Sequence, residues 1–348
     1  MSNLRVGVIG GTGYSGAELI KCLVHHPHAE LAVIASQSKA ETDIQEIYPH
    51  LTDICKFKLE DLQPDILAEK VDTMFFAAPS GASSSLVPQF LERGIRCIDL
   101  AGDFRLSEPE VYEKWYQHNS PEKEYLENAV YGLSEIYPQK IKTARLIANP
   151  GCYPTAALLG LIPAVQAGLI KGNSIIIDGK SGISGAGRSL SLGVHYSEAN
   201  ENTKAYKLGV HQHIPEIEQV LNAEAADRAT VTFTAHLVPM VRGILCTIYA
   251  DMKKPCITEE LQKLYEEFYN EHPFVRIKKA GRLPATKEVS GSNYCDIGLH
   301  CDPRTNRITI VAAIDNLLKG AAGQAVQNMN LMNRWDTASG LQFVPNYP

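Results

Sequence analysis

Leu4-Arg5-Val6-Gly7-Val8-Ile9-Gly10-Gly11-Thr12-Gly13-Tyr14-Ser15-Gly16 is the stretch that decides the fold class of this chain. A short apolar run ends in clustered glycines, and the apolar residues that follow, Leu19, Ile20, Leu23 and Val24, recur at helical spacing. Gly11, Gly13 and Gly16 satisfy G-x-G-x-x-G at a strand-to-helix junction. There, glycines let the backbone turn tightly and approach a pyrophosphate seated on the helix N-terminus. The reading predicts a dinucleotide site built from Gly10, Thr12, Gly13, Tyr14, Ser15 and Gly16; the alternative is a glycine-rich turn that binds nothing.

Working outward, residues 31–35 give a second strand, and Ser36, Gln37, Ser38 and Lys39 follow it. An NAD-selective site places a carboxylate near this point for the ribose 2′-hydroxyl. Here the first acidic residue is Glu41. Hydroxyls at Ser36 and Ser38 and the ammonium of Lys39 suit a 2′-phosphate, which favours NADP(H), with a solvated loop as the plainer alternative. Residues 71–78 form a further buried-strand run ending in Pro79, Ser80 and Gly81, then a helix at 84–92 and a strand at 95–100. Alternating strands and helices predict a parallel sheet whose ligand lies at the strands' carboxyl ends, the side that holds Pro79 and Ser80. The first half is therefore expected to be an α/β, Rossmann-type nucleotide-binding domain spanning 1–150. Residues 107–142 show no clean periodicity and read as an insertion.

The chain has 348 residues, 45% hydrophobic and 21% charged, with a formal charge of -6. This is length for two domains. No basic run interleaved with aromatic residues points to nucleic acid, and no apolar stretch is long enough for a membrane span. The sequence opens on a strand-like segment instead of a leader, so a cytoplasmic protein is expected. Eight cysteines occur without a CxxC pair, which argues against a zinc site; no metal is expected, and seven of the eight are read as structural.

Cys152 differs from the rest. It sits in Asn149-Pro150-Gly151-Cys152-Tyr153-Pro154-Thr155, directly before an apolar helical stretch at 156–165. Unpaired N–H groups at a helix start ease ionisation of a thiol, so Cys152 reads either as a nucleophile or as a buried small hydrophobe. A strand at 174–178 then breaks into small residues, with Ser184 and Gly185, ending at Arg188; such a loop suits an anion, or is a flexible surface loop. His211 and His213 lie some 60 residues beyond the cysteine, and either suits acid and base chemistry on a thiol. Strands at 230–236, 243–252, 274–277, 294–300 and 307–314, with a helix at 259–271, predict an α+β domain over 151–314 with a mixed or antiparallel sheet. Its apolar strands suggest a homo-oligomer, dimer or tetramer.

Taken together, GGTGYSG (10–16), AGDFRL (101–106), NPGCYPT (149–155), SGISGAGR (181–188), HQHIPEI (211–217) and DNLLKGAAGQAVQN (315–328) resemble the N-acetyl-gamma-glutamyl-phosphate reductases of the aspartate-semialdehyde dehydrogenase superfamily. The resemblance spans essentially the whole chain. It implies that Cys152 is the nucleophile and that the last helix, within 315–348, completes the nucleotide domain. It also implies reduction of an acyl phosphate by NADPH through a cysteine thioester, with release of inorganic phosphate, in arginine biosynthesis. His211 is the first choice for the acid and base and His213 the second. Asn149, Arg188 and Arg242 are expected to hold the oxyanion, carboxylate or phosphate, and Ser184, Gly185 and Asn316 to face the cofactor. Many relatives have Arg in place of Gln212 and Arg near Gln37. An aspartate-semialdehyde dehydrogenase and a non-catalytic NADP sensor are the competing readings.

Overall fold

The computed structural model describes residues 3–347. The chain divides into two units, residues 3–150 with 321–342 and residues 151–320 with 343–347. The second division falls after Gly320 instead of at 314/315, because Asp315 and Asn316 are tied to the second unit. The Asp315 carboxylate accepts the Gly291 N–H (2.8 Å), and the Asn316 side-chain oxygen accepts the Gly243 N–H (2.8 Å). The tail returns there as well, its Asn346 N–H donating to the Ser290 carbonyl at 2.8 Å.

In the first unit, β1 (Leu4–Ile9) leads through the glycine turn into α1 (Tyr14–Val24) and β2 (Ala29–Ala35). There follow β3 (Thr73–Phe76), α2 (Ser83–Glu92), β4 (Arg96–Asp99), β5 (Ala129–Tyr131) and β6 (Leu146–Ala148). All six strands are parallel, in the order β2-β1-β3-β4-β6-β5. β3 is buried at every position, as a strand covered on both faces must be. The chain leaves β1 toward β2 and later returns to its other side at β3, so the order reverses between β1 and β3. Such a switch point opens a crevice for a ligand at the strands' carboxyl ends.

The stretch 107–142 is more than an insertion. It carries helices Pro109–Tyr116, Lys123–Asn128 and Pro138–Ile141 and supplies β5, the edge strand of the parallel sheet. A three-residue strand and helices of four to eight residues are too short to show a clear period. A late helix, Gly323–Met332, also belongs to this unit and is buried along its whole length. Several of its polar groups are matched across the unit: Gln324 and Asn328 amides donate to the Gly132 carbonyl (2.9 and 2.8 Å), and the Ser134 hydroxyl donates to Asn328 Oδ1 (2.7 Å).

The second unit opens with α3 (Cys152–Gln166) and β7 (Ile175–Ser181), followed by β8 (Lys204–Tyr206), α4 (His213–Glu224), β9 (Val231–Leu237) and β10 (Ile244–Asp251). Then come α5 (Thr258–Phe268), β11 (Val275–Ile277), β12 (Cys295–Asp302) and β13 (Arg307–Ile314). The seven strands form one sheet, β11-β12-β13-β10-β7-β9-β8. It is mixed: β7 with β9 and β11 with β12 are parallel, the other neighbours antiparallel. α3 is apolar all round and accordingly buried from Tyr153 to Val165, lying against β10 and β13. Pro163 inside it has no N–H for the carbonyl four residues back, and the Tyr269 hydroxyl donates to that Leu159 carbonyl at 2.6 Å. The opposite sheet face leaves cross-strand partners Ile176 and Tyr249 exposed.

Candidate active site

The glycine turn of the first unit is shaped by close approach. Gly10 adopts φ +84°, and a Cβ there would lie 2.5 Å from the Ala77 carbonyl oxygen, so the loops after β1 and β3 touch. At Gly16 a Cβ would fall 2.3 Å from the Gly10 oxygen. Gly13 is different: its nearest neighbour would be 3.6 Å away, so its lack of a side chain leaves open space in front of the α1 N-terminus, which no side chain caps. A cradle of this kind fits a pyrophosphate. Tyr14 is exposed, while Thr12 and Ser15 are half-buried.

After β2, Ser38 and Lys39 are exposed, whereas Ser36 is buried with its N–H on the Glu60 carbonyl (3.0 Å). Pro79 and Ser80 are exposed beyond β3, the Ser80 hydroxyl donating to the Ala101 carbonyl at 2.9 Å. The neighbouring Gly81 N–H is taken by Asp103 (2.8 Å). Within AGDFRL, Arg105 donates to the carbonyls of Asn149 (2.8 Å) and Leu100 (3.0 Å), fixing the backbone that leads into the NPGC turn. The Asn149 side chain is fully buried, donating to the Ala321 carbonyl (3.1 Å) and accepting from Asn328 (3.1 Å). Its amide is thus part of the framework.

In the second unit Cys152 is the first residue of α3 and is partly exposed, unlike Cys22, Cys55, Cys97, Cys246, Cys295 and Cys301, which are buried. The extended Gly151 precedes it as the N-cap; its N–H is held by Glu216 Oε1 at 2.8 Å, and its carbonyl accepts from the Thr155 hydroxyl at 2.9 Å. Gly320 forms a wall: a Cβ there would lie 2.8 Å from Cys152 Cβ. His213 packs against Gly151 so closely that a Cβ on that glycine would be 2.4 Å from Nε2. Burial, with a smaller contribution from the charge Cys152 carries as thiolate, pushes the Tyr206 hydroxyl up to about 12.

His211 and His213 lie side by side, their ring centroids 4.7 Å apart, with Tyr153, Tyr206 and Phe233 around His211 at 5.8, 5.6 and 5.1 Å. Burial, helped by the nearby Lys207 ammonium, lowers the His211 imidazole to about 4. Its Nδ1 accepts the His213 backbone N–H at 3.1 Å, so the neutral ring carries its proton on Nε2. His211 is a neutral donor near pH 7, and His213 is the ring that abuts the cysteine turn.

Arg188 is exposed beyond the small-residue loop. Arg242 is part-buried, its Nη1 3.6 Å from the buried Asp315 carboxylate. Ser184 and Asn316 are joined by a 2.9 Å hydrogen bond, and Gly185 closes the same turn. The Asn316 oxygen in turn accepts the Gly243 N–H. Sequence reasoning passed over Glu216, Gly320 and Asp315 as site residues although all three stand in the quoted motifs; their signal was adjacency to HQH and to the final helix. Among the described residues no group of three or more His, Cys, Asp or Glu is placed to hold a metal ion, and no helix is long and apolar enough to cross a membrane.

The chain is 52% identical over 345 residues to an N-acetyl-gamma-glutamyl-phosphate reductase of Geobacillus kaustophilus, covering 99% of this chain and 100% of that protein. The protein of that name from Bacillus subtilis is 50% identical with the same coverage. The chain belongs to the N-acetyl-gamma-glutamyl-phosphate reductase family. Residues 5–144 match the profile of the semialdehyde dehydrogenase NAD-binding domain, and 152–316 that of the semialdehyde dehydrogenase dimerisation domain. Reductases of this family are oxidoreductases of arginine biosynthesis, and the matched profile makes the first half an NAD(P)-binding domain. Solved structures share the fold: aspartate semialdehyde dehydrogenase II of Vibrio cholerae aligns with a TM-score of 0.73 at 17% identity over 96% of this chain and 99% of that one. The Candida albicans aspartate semialdehyde dehydrogenase, solved with NADP, aligns at 0.70 and 16% over 95% and 99%.

Proposed function

We propose that this reductase converts N-acetyl-γ-glutamyl phosphate to N-acetylglutamate 5-semialdehyde in the cytoplasm, using NADPH and acting as a homo-oligomer. One observation carries the reading: Cys152 is a partly exposed thiol at the first position of a buried helix, walled by a side-chain-free Gly320, with His213 packed against the preceding Gly151. Cys152 Sγ attacks the γ-carbonyl carbon, the carbon–oxygen bond to phosphate breaks, inorganic phosphate leaves and a thioester forms. The reduced dinucleotide, held by Gly10, Thr12, Gly13, Tyr14, Ser15 and Gly16, supplies the hydride when bound. Ser38 and Lys39, with Ser36 shaping the turn, favour its 2′-phosphate, and Pro79, Ser80, Ser184, Gly185 and Asn316 complete the cofactor contacts.

His213 accepts the thiol proton at the start and returns it to the departing thiolate at the end. His211, neutral and protonated on Nε2, donates a hydrogen bond to the oxyanion. Arg242 binds the substrate carboxylate, Arg188 the phosphate, and Asn149 sets the backbone of the turn. The exposed, in-register pair Ile176 and Tyr249 belongs to the face through which two copies associate.

Cys152→Ser tests this directly. Turnover of N-acetylglutamate 5-semialdehyde with phosphate and NADP is expected to fall by about 10³ or more while NADPH binding persists. Surviving turnover would remove Cys152 as nucleophile, and a preference of the wild type for aspartate semialdehyde would overturn the substrate.

A further inference from the structure

Asp315 directly follows β13 and is fully buried. Its carboxylate is fixed by three backbone donors: Leu317 N–H (2.8 Å) and Leu318 N–H (3.1 Å) on Oδ1, and Gly291 N–H (2.8 Å) on Oδ2. The same Oδ2 stands 3.6 Å from Arg242 Nη1. The Asp315 carbonyl also accepts the Gly320 N–H at 3.0 Å, closing the wide turn Leu318–Ala322 that brings Gly320 against Cys152. The next residue, Asn316, holds the Gly243 N–H beside Arg242 and the Ser184 hydroxyl at the head of the anion loop.

We infer that Asp315 is a positioning residue for the reaction, one that aims Arg242 at the substrate's α-carboxylate and holds that guanidinium in register with Cys152; the inference rests on the proposed reading of Arg242. The physical case has three parts. A buried carboxylate held by three rigid donors cannot swing, so it offers the guanidinium 3.6 Å away a fixed counter-charge. An unpaired buried carboxylate is costly, so Arg242 is retained at this spot in the free enzyme as well. And because the side chain and the carbonyl of one residue contact the guanidinium and the Gly320 wall respectively, the spacing between the carboxylate anchor and the attacking sulfur depends on Asp315. This selects acyl compounds that carry a carboxylate at one fixed distance from the reacting carbonyl.

Two aldehydes separate this role from a merely structural one: N-acetylglutamate 5-semialdehyde, and 4-acetamidobutanal, which lacks only the α-carboxylate. Both are assayed in the oxidative, phosphate-consuming direction, with the rate of Cys152 alkylation by iodoacetamide as a control for the nucleophile. In Asp315→Asn the KM for the carboxylate-bearing aldehyde is expected to rise about tenfold to a hundredfold, with kcat changed less than about threefold. Turnover of 4-acetamidobutanal and the alkylation rate are expected to stay near wild type. Arg242→Gln is expected to erase the wild type's discrimination between the two aldehydes. If Arg242→Gln does so and Asp315→Asn does not, the role given to Asp315 is wrong while that of Arg242 stands. If the wild type does not discriminate, the reading of Arg242 fails first. Should Asp315→Asn not fold, Asp315→Glu, which keeps the charge but moves it by one methylene, carries the same comparison. Equal loss on both aldehydes, or failure of both variants to fold, marks Asp315 as structural only and overturns the proposal.

Discussion

At the scale of single residues, the site is defined as much by side chains that are missing as by those present. Gly320 faces Cys152 with no room for a methyl group. Gly320→Ala is therefore expected to displace the sulfur and to lower kcat/KM by about 10² with the fold retained, since small misplacements of a reacting group cost this much. Steady-state kinetics together with circular dichroism checks it. His211 gives a pH signature. Its pKa is lowered to about 4 in the folded protein, against about 6.5 when unfolded, so the native state binds fewer protons between those values and stability falls as pH drops from 6.5 to 4. The loss attributable to this group is about 3 kcal/mol. Urea unfolding at pH 7 and pH 4.5 is expected to show a shallower acid loss in His211→Gln than in the wild type. Cys152 stood out in the sequence as a candidate nucleophile because Pro150, Gly151 and Pro154 punctuate its surroundings, and the resemblance decided between that and a buried hydrophobe. The different surroundings of the two histidines were not legible, because the burial of His211 depends on residues distant in sequence such as Phe233.

At the scale of elements, local pattern and packing contribute differently in the two units. The β1–α1–β2 segment was readable because strand, glycines and amphipathic helix follow each other without interruption. β5, β6 and β8, three residues each, were not, since their pairing is decided by neighbours far along the chain. Two tests belong here. In the glycine turn, Gly16→Ala collides with the Gly10 carbonyl and is expected to destabilise the first unit, whereas Gly13→Ala meets only open space. The latter is expected to leave the melting temperature unchanged and to weaken NADPH binding about tenfold or more, measured by fluorescence titration. In α3, Tyr269→Phe leaves the Leu159 carbonyl that Pro163 orphaned without its phenolic donor. Denaturant unfolding is expected to register a loss of about 1–3 kcal/mol.

At the scale of the whole molecule, the second unit's sheet is covered by α3 on one face, while the other exposes Ile176 beside Tyr249. This face is the one proposed above for association, in a unit that matches the semialdehyde dehydrogenase dimerisation domain. Light scattering is expected to give a dimer or tetramer for the wild type and a smaller species for Tyr249→Lys, at unchanged secondary structure. The chain also crosses from the first unit to the second and back again before its end. The Gly132 carbonyl and the Ser134 hydroxyl are met by Gln324 and Asn328, nearly two hundred positions downstream. During synthesis the amino-terminal half consequently leaves the ribosome with a vacancy that only the last-made helix fills, so its maturation waits for almost the entire polypeptide to emerge.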